Sequence, residues 1–237
     1  MLRMSSVIEV RKRILTDVFL DPRTIELLNQ TIRTTQKKDR EYGFEVNVDY
    51  SNYDRFHSRF VKGITGFCPL DIERLENPLD GDLVLSVHSH TKSKKETLGE
   101  QIRRAKNATD SSTGDLLRLV NDYRSFRRQC AQLAGTEGEN GIADQISPIS
   151  MVVYPVVAIA HLHLYQLTGH VPEEISLIDE WDAEPTLERM EQRGQLQRMK
   201  ITYKDNQYEG LDESVERLAL TEPLQLEAPE PPFCTGI

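Results

Sequence analysis

Apolar and polar residues alternate in Glu41-Tyr-Gly-Phe-Glu-Val-Asn-Val-Asp49, where Phe44, Val46 and Val48 share one side of the chain. A period of two is that of a half-buried strand. Asn77-Pro-Leu-Asp-Gly81 has turn composition, and the apolar-rich Asp82-Leu-Val-Leu-Ser-Val-His-Ser-His90 that follows predicts a second strand with two histidines at its end. Ile149 to Tyr154 and Ile159 to Leu167 are almost continuously apolar and predict two buried strands. Helical spacing shows in Ile25, Leu28 and Ile32, after an Asp21-Pro22 start in which the carboxylate caps free N–H groups and Pro has none to satisfy. The same spacing, in Leu116, Leu119, Val120 and Tyr123, predicts a helix from Ser112 to Arg127. Val7 to Leu20, rich in β-branched residues, predicts one strand or two short ones, and a loop-rich stretch is expected between Asp49 and Asn77. Thr91 to Asp110 reads as loop with some helix, and Gly135 to Gly141 as a glycine-rich loop. A helix at Glu184 to Arg193 and a hairpin at Met199 to Glu209 complete the pattern.

Composition narrows the function classes. With 29 basic against 38 acidic side chains the protein carries a formal net charge of −9, which excludes a general nucleic-acid binder, since phosphate binding needs excess Lys and Arg. Cys68, Cys130 and Cys234 are odd in number and form no CxxC pair, so neither a disulfide framework nor a thiolate zinc ribbon is expected. The N-terminus has no continuous apolar segment, and the longest apolar run, Met151 to Ala160, is too short for a bilayer and contains Pro155. A soluble, cytoplasmic protein is expected.

Residues two apart on a strand face the same way, so His88 and His90 can aim two imidazoles at one point, a geometry that suits a divalent metal. Catalytic zinc takes three protein ligands and leaves a position open, and Asp115, in the first turn of the predicted helix, is the candidate third ligand. Ser112 lies three residues before it on the same helical face. Ser112-x-x-Asp115 also has the pattern of an ordinary capping box. His161 and His163 repeat the His-x-His spacing, but lie inside a buried strand with no acid-bearing helix start downstream, so a structural role is expected of them. His57 and His170 belong to no pattern and are expected at the surface.

Taken in order, a Glu near a Gly at a strand start, His-Ser-His at a strand end and Ser-x-x-Asp at a helix start resemble the JAMM motif of MPN (Mov34/PAD-1, JAB) domain metalloproteases. The resemblance covers roughly residues 5 to 170 and implies an α/β fold of MPN type, cytidine-deaminase-like, with a curved, mostly antiparallel sheet flanked by helices. It further implies that His88, His90 and Asp115 hold Zn2+, that Glu41 is the general base, and that Ser112 hydrogen-bonds the oxyanion. Peptide or isopeptide bonds would be the substrate, with removal of a ubiquitin-like modifier as one form of the reaction. This chain has Glu41-Tyr-Gly43 where the family commonly has Glu-x-x-Gly, so Glu45 is a second candidate for the base. It also has Thr91, not Pro, after the second His, and a long charged stretch before the Ser, so that 91–111 reads as an insertion.

On this basis 1–171 is the expected catalytic domain, 172–220 an accessory helix and hairpin, and 221–237, with four prolines, a disordered tail. Lys92, Lys94, Lys95, Arg103, Arg104 and Lys106 make the insertion a basic island, either a solvated helix face or a surface that steers an acidic partner. Two rivals remain open: a non-catalytic MPN scaffold, and a cupin-like metal protein with Glu96 as the next ligand.

Overall fold

The computed structural model describes residues 2–38, 40–50, 55–91, 96–107, 113–137, 145–168 and 183–221. Their core is one seven-stranded sheet in the order β2-β1-β3-β4-β5-β6-β7. In chain order the strands are β1 (Tyr42–Val48), β2 (Phe56–Lys62), β3 (Asp82–Ser89), β4 (Ile149–Val156), β5 (Ile159–Leu167), β6 (Leu196–Lys204) and β7 (Gln207–Glu209). Neighbours are antiparallel except β3 and β4, which are parallel. A parallel pair needs a crossover, and α4 (Leu98–Asn107) and α5 (Thr113–Glu137) supply it, leaving from the end of β3 where the histidines stand.

Helices cover both faces. On one, α1 (Leu2–Leu20), α2 (Pro22–Lys38) and α7 (Leu211–Ala219) pack Leu15, Phe19, Leu28 and Val215 against Phe44, Val87, Met151 and Leu164. On the other, Leu116, Val120 and Tyr123 of α5, with Leu187 and Met190 of α6 (Ala183–Gln192), cover Val152, Tyr154 and Tyr165. At the β1 end of that second face, Leu70 of α3 (Leu70–Glu76) packs with Cys68 just before it and Val61 of β2. The expected α/β class with a sheet flanked by helices is present; the sheet is mixed.

The helix start at Asp21-Pro22 forms as expected, with Asp21 Oδ1 accepting from the N–H groups of Arg23 and Thr24 at 2.9 and 3.0 Å. The hairpin closes on Asp205 and Asn206, both at positive φ, as a two-residue turn requires. The strand expected at Val7 to Leu20 is instead the helix α1. Its β-branched residues favour extended chain, but Ile14, Leu15, Val18 and Phe19 recur at helical spacing, and burying that stripe outweighs propensity. The expected loop between Asp49 and Asn77 contains β2 and α3. β2 is an edge strand and half-buried, so its alternation is weak. α5 runs past Arg127 to Glu137, through the start of the expected glycine-rich loop, and the rest of that loop lies outside the described residues. Cys68 and Cys130 are buried free thiols. Among the described residues, no helix is long and apolar enough to cross a membrane.

Candidate metal centre

Gly43 sets how closely β1 approaches β3. It pairs with His88, and a Cβ added there would lie 2.3 Å from the Val87 carbonyl and 3.0 Å from Cys68 Sγ, so no other residue fits without moving the strand. Ser89, between the two histidines, faces the opposite side of the sheet. Its hydroxyl accepts from Tyr42 N–H at 3.0 Å, donates to Tyr42 carbonyl at 3.1 Å, and meets Thr35 Oγ1 of α2 at 2.5 Å. The His-Ser-His tripeptide is thereby fixed to β1 and α2 on one face, while both imidazoles project from the other. A backbone bond from His90 N–H to Val153 carbonyl, 2.9 Å, holds the strand end against β4.

Asp115 enters from the first turn of α5. Its Oδ1 lies 2.7 Å from His88 Nε2 and its Oδ2 lies 3.2 Å from His90 Nε2, while the two Nε2 atoms are 3.2 Å apart. One ligand atom from each residue lies within 4.8 Å of the others, the one such group of three or more His, Cys, Asp or Glu among the described residues. For Zn–N bonds of about 2.05 Å, the edge of a ligand tetrahedron is about 3.3 Å. The two 3.2 Å separations match that edge, and the 2.7 Å contact between His88 Nε2 and Asp115 Oδ1 is a hydrogen bond that would open by about 0.6 Å around an ion, so the three donors can hold a metal without selecting which one. Protonation also suits ligation. Burial pushes His88 down to about 4, so it is neutral at pH 7, and although burial alone would raise Asp115, the two histidines hold its carboxyl well below the usual range.

Glu41 immediately precedes β1. Its backbone is tied to the turn after β2, with N–H donating to Ile64 carbonyl and its own carbonyl accepting from Gly63, both at 3.0 Å. Its side chain is buried, and burial raises its carboxyl to about 7, with the Asp115 charge pushing the same way and His90 and Arg118 opposing. Glu45, the second candidate base, sits differently. Arg59 Nη2 donates to its Oε2 at 2.7 Å, and Arg74 Nε donates to its Oε1 at 2.8 Å. Arg74 also bonds Asp122. Both Glu45 oxygens are therefore held by guanidinium groups, whereas Glu41 is the glutamate whose charge interacts with His90 and Asp115. Ser112 lies outside the described residues.

The chain matches no family model, no curated protein and no solved structure.

The remaining candidates fall elsewhere. Glu96 pairs with Arg104 at 3.2 Å and is not in the cluster, and the helix-covered sheet is not a cupin barrel. His163 is buried, and its Nε2 meets the Ala105 carbonyl of α4 at 2.6 Å, so this histidine ties the insertion to β5, while His161 is half-buried on the same strand. Lys200 Nζ adds a bond to Lys106 carbonyl at 3.0 Å. Of the basic island, Arg104 also donates to Thr91 carbonyl, while Lys92, Lys94 and Lys95 lie outside the described residues. His57 is half-buried on β2, and His170 is outside the described residues. Sequence reasoning missed Arg118, a buried cation one helical turn after Asp115 that donates to Cys68 carbonyl at 2.8 Å. Its i+3 spacing from Asp115 was the available signal.

Proposed function

We propose that this protein is a zinc-dependent hydrolase of peptide or isopeptide bonds. The observation that carries the proposal is the convergence of His88, His90 and Asp115 beside Glu41, a buried carboxyl raised to about 7. His88, neutral, and His90, both fixed through Ser89, would hold the ion with Asp115. A bound zinc supplies Lewis acidity, polarising a carbonyl and lowering the pKa of water from about 16 towards about 7. Glu41 takes the proton from the attacking water and returns it to the leaving amine, a task for which a pKa near the working pH is best. Ser112, by the resemblance to the JAMM motif, donates a hydrogen bond to the oxyanion. The same resemblance supplies the bond class and makes a ubiquitin-like modifier linked to lysine the first substrate to try.

Elemental analysis of purified protein after exposure to zinc and desalting tests the ligand set, with His88→Ala and Asp115→Ala alongside. One zinc per chain is expected in the wild type and little in either variant. Glu41→Gln should keep the zinc and lose roughly 10²- to 10⁴-fold in hydrolysis of an isopeptide-linked substrate. A zinc-free wild type, or Asp115→Ala holding zinc as firmly as wild type, sinks the assignment.

A further inference from the structure

A histidine that binds metal through one ring nitrogen carries a proton on the other, and that N–H is ordinarily given to an acceptor that fixes the ring. His88 presents Nε2 to the cluster, which leaves Nδ1 to be satisfied. Nδ1 is buried and has no hydrogen-bond partner among the described residues. Two residues earlier on the same face of β3, the Ser86 hydroxyl is in the same condition: fully buried and without a partner. The two groups share a strand face without being bonded to each other, and both need an explanation, since burial of either alone is unfavourable.

The neighbouring groups leave few acceptors for Nδ1. Arg118, close enough for its charge to act on His88, offers only donors. Glu45, the β1 partner of Ser86, has both oxygens taken by Arg59 and Arg74. Ser150 and Val152 are the β4 partners of Ser86 and His88, and with Asp115, Leu116, Leu119, Tyr165 and Leu187 they line a small cavity of about 10 Å³ next to, but not lined by, Ser86 and His88. That is close to the least space that admits one water, whose volume requirement is about 10–15 Å³. The Ser86 oxygen is an acceptor whose own hydrogen can rotate away.

We propose that Ser86 is a positioning residue for the metal: its Oγ takes the Nδ1–H of His88, directly or across one water, and so holds the ring with Nε2 free for the ion. The proposal rests on the metal-binding reading above, but is tested separately from it. Thr and Val have nearly the same shape and differ by the hydroxyl, so Ser86→Thr and Ser86→Val share any packing cost, and their difference reports the oxygen alone.

Zinc affinity by competition with a chelator should be about 10- to 100-fold weaker in Ser86→Val than in Ser86→Thr. In the zinc-loaded protein, the His88 Nδ1–H should be visible by NMR as a slowly exchanging proton in wild type and Ser86→Thr. In Ser86→Val it should shift and exchange faster. Equal zinc affinity and an unchanged Nδ1–H signal in the two variants overturn the proposal while leaving the metal site standing. So does a loss confined to Ser150→Ala, which makes Ser150 the acceptor. A wild type that binds no zinc removes the metal-binding reading and this one with it.

Discussion

Glu41 feels the charges of His90 and Arg118 and yet holds its proton more tightly than a free carboxyl, because burial, with Asp115 pushing the same way, outweighs their attraction. The consequence for stability has a definite sign. The folded pKa of about 7 lies above the reference value of 4.5, so in metal-free protein this group's contribution is full below about pH 4.5 and is lost as pH rises to about 7. The loss is on the order of 3 kcal/mol. His88 and His163, both lowered to about 4 by burial, act oppositely, adding stability as pH rises from about 4 to 6.5. Comparing wild type with Glu41→Gln isolates the glutamate, since Gln mimics the protonated form. In chelator-treated protein the variant should gain on the wild type steadily between pH 4.5 and 7, by urea midpoint. A difference that does not vary with pH would show that Glu41 is not buried in this way. Nothing in the local sequence separates Glu41 from Glu45, because each precedes apolar strand residues at comparable spacing. The separation comes from Arg59 and Arg74, which arrive from segments without a strong pattern of their own.

At the scale of elements, the strands that carry chemistry were legible because each is bounded by turn residues and buried on a recognisable face. β1, β3, β4 and β5 lie where the apolar pattern puts them. α1 was not legible as a helix, because its β-branched content and its helical stripe point opposite ways and only tertiary burial decides. β2 and α3 were missed because one is a half-exposed edge and the other is only seven residues long, yet they deliver the cations that neutralise Glu45 and Asp122. Burial raises Asp122 to about 6 even with Arg74 beside it. Removing the cation leaves two buried carboxyls without it. Arg74→Met should therefore cost roughly 3–5 kcal/mol, the range for breaking a buried ion pair by removing one partner. Adding Glu45→Gln should recover part of that loss. A single-variant loss under about 1 kcal/mol in a denaturant titration would mean that α3 is not pinned by this network.

For the whole molecule, the motif-bearing segment and the segment after it form a single sheet, and the helices before it cover one face. β6 pairs with β5 from Ala160–Tyr203 to Leu167–Leu196 and is followed by β7, while α7 packs on α1 and Arg11 Nη1 donates to Thr221 carbonyl at 2.7 Å. The first and last described helices thus close the same face, which no local pattern could reveal, because neither helix contains a signal naming its partner. A length of about 170 residues is ample for an independent domain, so a chain ending at Thr168 poses a fair question. Such a chain would bare the β5 edge and remove Met199, Ile201, Val215 and Leu218 from the core around Leu162, Leu164 and Phe19. Those losses are comparable to the 5–15 kcal/mol by which domains are ordinarily stable, since each large buried apolar side chain contributes about 1.5–3 kcal/mol. The chain ending at Thr168 should show no cooperative thermal transition and no stoichiometric zinc binding. The chain ending at Thr221, which lacks only the proline-rich segment, should melt within about 2 °C of the full protein, as a shift below about 0.5 kcal/mol implies. Cooperative melting of the shorter chain with wild-type zinc content would instead make the C-terminal strands an appendage to a self-sufficient metal-binding domain.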